Sequence, residues 1–134
     1  MVLDTSVCID LLRESAKGIK GPARRHLEAL GRRQLFLSYF SLCELYTGLH
    51  LGERGAEEQR SMSLLVESLI VIHPDEGFPN LYGEAAAALL KQGTPIPVMD
   101  LLIGVSAKSR GLPVLTRDAV HFSRIPGLMV ESYG

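Results

Sequence analysis

The feature that most constrains this chain is the alternation of very short apolar runs with longer stretches of helical periodicity. Residues 2–3, 35–37, 70–72, 113–116 and 128–130 are almost wholly apolar. Between them, residues 6–13, 23–32, 40–51, 56–69, 79–92 and 98–110 read as helices. Pro22 suits a first helical turn, and Gly52, Gly93 and Gly111 sit where helices stop. Strands that are apolar on both faces must be covered on both faces. A parallel sheet with helices packed on either side meets that demand. The expectation is a single α/β/α domain over residues 1–134, with a mostly parallel central sheet. In such sheets, ligands bind outside the carboxyl ends of the strands.

Composition narrows the partners. The chain is 46% hydrophobic and 22% charged, which argues for a packed core and against disorder. Its net charge is −1, so a nucleic acid partner must be met by a local patch. One candidate patch lies between Arg13 and Arg33, where seven of the 14 Lys and Arg residues face only Glu14 and Glu28. This segment suits RNA phosphates, a docking peptide or a solvated helix face equally well. Cys8 and Cys43 both lie in apolar stretches and read as reduced core thiols. No apolar run reaches the roughly 18 residues of a membrane span. With Asp4 interrupting the first apolar residues and no basic segment before them, a signal peptide is not expected, and a cytoplasmic location is. His26, His50, His73 and His121 lack zinc-ligand spacing and read as surface or packing residues.

Four acids hold attention. Asp4 follows the first strand directly, and either capping of the next helix or ligand binding would place it there. Thr5 and Ser6 are further capping candidates. Asp118 follows the fourth strand, two residues after Thr116, at the same edge of the sheet; a turn residue would also suit that place. Asp100 stands in the first turn of an apolar helix, on one face with Gly104 and Ala107. Glu44 projects almost opposite the Leu42, Leu45, Tyr46 and Leu49 stripe, so its own pattern favours a solvated position. Gathered in one cleft, four carboxylates would repel unless a cation compensated. An all-oxygen set suits Mg²⁺ or Mn²⁺.

Four segments carry a resemblance to a known family. VLDTSVCIDLL, LSYFSLCELYTGL, PIPVMDLLIGVSAKSRGLPVLTRD and HFSRIPGLMVESY together resemble a PIN-domain ribonuclease, and within that family a VapC-type toxin of a toxin–antitoxin pair. The resemblance runs from end to end. It implies that Asp4, Glu44, Asp100 and Asp118 bind Mg²⁺ or Mn²⁺, with Ser6 and Thr116 orienting carboxylates or water beside the first and last acids. It overrides the surface reading of Glu44. It further implies an RNA substrate, cleavage by metal-activated water, a homodimer and inhibition by a cognate VapB-type antitoxin.

Two other classes remain open at this point. A receiver domain also gathers acids at strand ends, but it has adjacent acids after strand one and a Lys after its last strand. Here strand one gives a single Asp, and Lys108 lies in a helix. A PIN fold kept only as a binding module is the second alternative.

Overall fold

The computed structural model describes residues 1–53 and 55–133. Five strands form one sheet: β1 (Val2–Leu3), β2 (Phe36–Ser38), β3 (Ile70–Ile72), β4 (Val114–Thr116) and β5 (Val130–Ser132). Their order is β3-β2-β1-β4-β5, and every pairing is parallel. The helices are α1 (Thr5–Lys17), α2 (Pro22–Ala29), α3 (Tyr39–Leu51), α4 (Ala56–Glu67), α5 (Phe78–Lys91) and α6 (Val98–Ser109). A single 3₁₀ turn, Phe122–Arg124, follows β4. No helix among the described residues is long and apolar enough to cross a membrane.

The pleat explains the layers. Val2 and Val114 pair in register and point to one face, into a core with Leu89, Leu101 and Ile103 of α5 and α6. Leu3, Leu37 and Leu115 point to the other face, where Val7, Leu45 and Met62 of α1, α3 and α4 cover them. The sheet is thus sandwiched, as continuous apolar strands require. From β1 the chain winds outward through β2 and β3, then returns to the far side of β1 with β4. The switch point, where ligands bind in sheets of this kind, lies between β1 and β4.

Some boundaries differ from the sequence reading. The first helix continues past residue 13 to Lys17 and ends on Gly18, whose φ of 66° is left-handed. It continues because Glu14, mid-way through a charged run, is buried. Its carboxylate accepts from the backbone N–H groups of Gly21, Ala23 and Arg24 at 2.8, 3.0 and 3.1 Å. The last strand begins at Val130 rather than Leu128, because Leu128 packs back on α6 and an edge strand need not be apolar on both faces. Both cysteines are free, but only Cys8 is buried; Cys43 is exposed on α3. Tyr46 is also exposed, so the apolar stripe of α3 is narrower than its spacing implied.

Candidate active site

Asp4 is the N-cap of α1, with extended backbone angles and its Oδ1 accepting from Thr5 N at 2.8 Å. Neither Thr5 nor Ser6 caps the helix. Asp4 N still joins the sheet, donating to Leu115 O at 2.9 Å. The residue therefore belongs to strand and helix at once, which fixes its position at the switch point. Ser6 Oγ and Thr116 Oγ1 both donate to its Oδ2, at 2.8 and 2.9 Å. Asp4 is 8% exposed and Thr116 1%. Burial raises the Asp4 carboxyl above the usual aspartate range; the hydroxyl and backbone donors oppose that rise, and the nearby Asp100 charge adds to it. Cys8, behind Asp4 in α1, is pushed up to about 12 by burial and then by the Asp4 charge, so it is an inert thiol.

The other acids approach this centre by different routes. Thr5 Oγ1 donates to Glu44 Oε1 at 2.6 Å, joining α1 to α3. Glu44 is half-buried, against the surface position its own helical pattern favoured. Asp100 Oδ2 accepts from His121 Nδ1 at 2.8 Å. Asp118 meets Thr116 through its main chain, both N–H and carbonyl lying 3.2 Å from Thr116 Oγ1. Its side chain accepts from Val120 N at 3.1 Å, the turn geometry its sequence position also allowed. Asp4 and Asp100 are close enough to sense each other's charge, and Asp118 stays on the exposed rim. Among the described residues, no three His, Cys, Asp or Glu side chains close into a metal cage.

That arrangement still fits a hard cation. Mg²⁺ is ordinarily held by one or two carboxylates, with water and substrate phosphate filling the rest of its shell. Two mutually repelling carboxylates, one of them buried and protonation-prone, are the donor chemistry such an ion relieves.

Other residues were not singled out from the sequence. His121 is one, read there as an ordinary histidine. Asp10, Arg117 and Tyr133 form a second group, adjoining Ser6. Arg117 Nη1 and Tyr133 Oη each donate to Asp10 at 2.7 Å, and Arg117 N reaches Ser6 Oγ at 3.3 Å. Hydrogen bonding to Asp10 follows burial as a cause that raises the Tyr133 phenol above its usual range. These partners lie more than a hundred residues apart in sequence, and no local pattern signals them.

A groove of about 510 Å³ runs between α1, α3 and α4, lined by Leu12, Arg13, Glu44, Leu45, Glu57 and Glu58 among others. Arg13 is the member of the basic segment that faces it. Elsewhere in that segment Lys20 pairs with Glu28 at 3.1 Å, Arg33 with Glu131 at 3.5 Å, and Arg25 donates to Lys20 O at 2.6 Å. Three of the seven basic residues thus meet partners on the chain's own surface.

The sequence profile of the PIN domain matches residues 1–128. The chain belongs to the PIN-domain family. Its relatives in that family include Ribonuclease VapC1 of Haemophilus influenzae (strain R2866), 31% identical over 132 residues, covering 98% of this chain and 96% of that protein. The tRNA(fMet)-specific endonuclease VapC of Salmonella typhimurium is 29% identical over 135 residues with the same coverage. Among solved PIN-domain structures, VapBC-1 from nontypeable Haemophilus influenzae aligns with a TM-score of 0.81 at 31% identity, over 98% of this chain and 96% of that one. VapBC2 from Rickettsia felis, bound to a DNA fragment from its promoter, aligns with a TM-score of 0.87 over 99% and 98%. At 24% identity that second likeness bears on the PIN fold alone. Nothing in these relatives favours the receiver alternative.

Proposed function

We propose that this PIN-domain protein is a VapC-type toxin, an endoribonuclease that depends on Mg²⁺ or Mn²⁺. The observation that carries the reading is the buried Asp4 carboxylate at the β1–β4 switch point, held by three donors and set near Asp100. Asp4, Glu44 and Asp100 would hold the principal ion, and Asp118 would assist through water or a second ion. When bound, such an ion supplies positive charge to the scissile phosphate and lowers the pKa of a water molecule. The chain's own part is orientation. Thr5, through its N–H and hydroxyl, spans Asp4 and Glu44 and fixes their relation across α1 and α3. Ser6 and Thr116 direct their hydroxyl protons to Asp4, so they orient a carboxylate and do not attack phosphorus.

The full-length likeness to ribonucleases named VapC supports RNA as the substrate. The solved VapBC complex supports a cognate VapB-type antitoxin as partner; a homodimer and a cytoplasmic location are further parts of the proposal. The groove beside Glu44, apolar along Leu12 and Leu45 and acidic at Glu57 and Glu58, suits the tail of such a partner carrying apolar and basic residues.

Cleavage of purified RNA by the purified chain, with Mg²⁺ and with excess EDTA, tests the reading. Activity that needs the ion and falls to background in Asp4→Asn, while that variant stays folded, supports it. Undiminished cleavage in EDTA overturns it. A folded wild-type chain that binds RNA and cleaves none makes it a binding module instead.

A further inference from the structure

Each of the four acids has at least one donor, and for three of them every donor lies on or within a few residues of the ends of β1 and β4. Asp4 has Thr5 N, Ser6 and Thr116; Glu44 has Thr5; Asp118 has Val120 N. Asp100 differs. It lies in the first turn of α6, and its donor is an imidazole on the segment after β4.

The fold goes to some length to bring that imidazole there. Asp100, Gly104 and Lys108 stand at four-residue intervals on one face of α6. All three meet the segment 121–128. A Cβ at Gly104 would lie 2.3 Å from Ile125 Cδ1 and 3.4 Å from Phe122 Cδ1, so a larger residue there would force the buried Ile125 side chain to move. Lys108 Nζ donates to Pro126 O at 2.6 Å. Phe122 and Ile125 are each 2% exposed and anchor the segment in the core. His121 therefore stands immediately beside a buried anchor and is not free to swing. Its side chain is 43% exposed and that of Asp100 27%, so the pair is partly buried, neither in bulk solvent nor in the core.

We propose that His121 is a positioning residue for the divalent-ion site: its Nδ1–H holds Asp100 Oδ2 and so sets the rotamer in which the Asp100 carboxylate faces Asp4. A carboxylate that must bind an ion is otherwise free to rotate about its side-chain bonds, and two like charges favour turning apart. A fixed donor on one oxygen removes that freedom and leaves the other oxygen for the ion. This inference rests on the metal reading above.

The test uses two variants that separate the donor from the ring. In His121→Asn the amide nitrogen takes the same place on Cγ as Nδ1, so a donor survives without the ring. In His121→Phe the ring survives without the donor. Mn²⁺ binding to the RNA-free protein is read by electron paramagnetic resonance, alongside metal-free melting. The expected result is Mn²⁺ binding about tenfold or more weaker in His121→Phe, and within about threefold of wild type in His121→Asn. Both should melt as wild type does without metal. Wild-type affinity in both variants overturns the inference. Equal loss in both, with lowered melting, also overturns it, because that marks a structural role. A wild-type chain that binds no Mn²⁺, or binds it as well after Asp4→Asn, overturns the metal reading itself.

Discussion

Glu14→Gln is the substitution whose cost the structure specifies most closely. Pro22 has no N–H, so the donors at the start of α2 are Gly21, Ala23 and Arg24, and all three converge on the Glu14 carboxylate. Oε1 accepts from Gly21 and Arg24, and Oε2 from Ala23. A glutamine oxygen in the Oε1 place keeps the first two bonds. Its NH₂ group then faces Ala23 N–H, donor against donor. One buried donor left unpaired costs about 1–3 kcal/mol. Losing a negative charge at a helix N-terminus in a partly buried site costs up to about 2 kcal/mol more. Relief from burying a charge offsets part of that sum. The net is about 2–3 kcal/mol, which for a domain of this size lowers the melting temperature by roughly 10 °C. Glu28→Gln is the control, since Glu28 pairs with Lys20 in the open and its loss shifts stability by less than about 0.5 kcal/mol. Thermal melts of both variants, with urea unfolding to check an unchanged m-value, decide the matter. If Glu14→Gln melts within a degree or two of Glu28→Gln, the carboxylate is not the structural cap of α2. RNA cleavage well below melting should be unaltered, because ten helical residues place Glu14 roughly 15 Å from Asp4.

Asp4 carries a pH dependence of definite sign. Its pKa is higher folded than unfolded, so the stability it contributes is fully present below the ordinary aspartate range and is lost as pH rises through the raised value; metal-free melting should fall over that window, and millimolar Mn²⁺ should reverse the fall at neutral pH. An equal melting temperature at about pH 4 and pH 7 without metal, or no response to Mn²⁺, would contradict this. Gly104→Ala drives a methyl into Ile125 and should destabilise the chain by about 1–3 kcal/mol in urea titrations, with a larger loss of activity than of stability because His121 moves with that segment. Thr116→Val removes a buried donor to Asp4 and should reduce RNA cleavage more than Ser6→Ala does, since Ser6 lies closer to solvent; steady-state rates under saturating Mg²⁺ check the order.

The sequence made the sheet legible because its strands are short and apolar on both faces. Residues 2–3 and 70–72 were bounded correctly, since a charged or proline residue follows each run within two positions. The edge strand β5 slipped because one of its faces need not be apolar. Asp4 and Asp118 could be placed at strand ends from local pattern alone. Glu44 could not, because the contact that half-buries it comes from Thr5 on another helix. On its own helix it stands opposite the Leu42, Leu45 and Leu49 stripe. His121 and Glu14 failed for the same reason. One meets a partner 21 residues away, and the other caps a helix that is not its own. Cys43 misled in the opposite sense: apolar neighbours along the chain do not bury a residue on the outer face of α3.

The chemistry of the cut ends tests the central claim most directly. If water attacks phosphorus with the help of an ion held by Asp4, Glu44 and Asp100, the ribose 2′-hydroxyl is not consumed. End-group analysis of RNA cleaved by the purified chain should then find 5′-phosphate and 3′-hydroxyl ends, formed only when Mg²⁺ or Mn²⁺ is present. Products ending in 2′,3′-cyclic phosphate would mean that the 2′-hydroxyl attacked, and would contradict it.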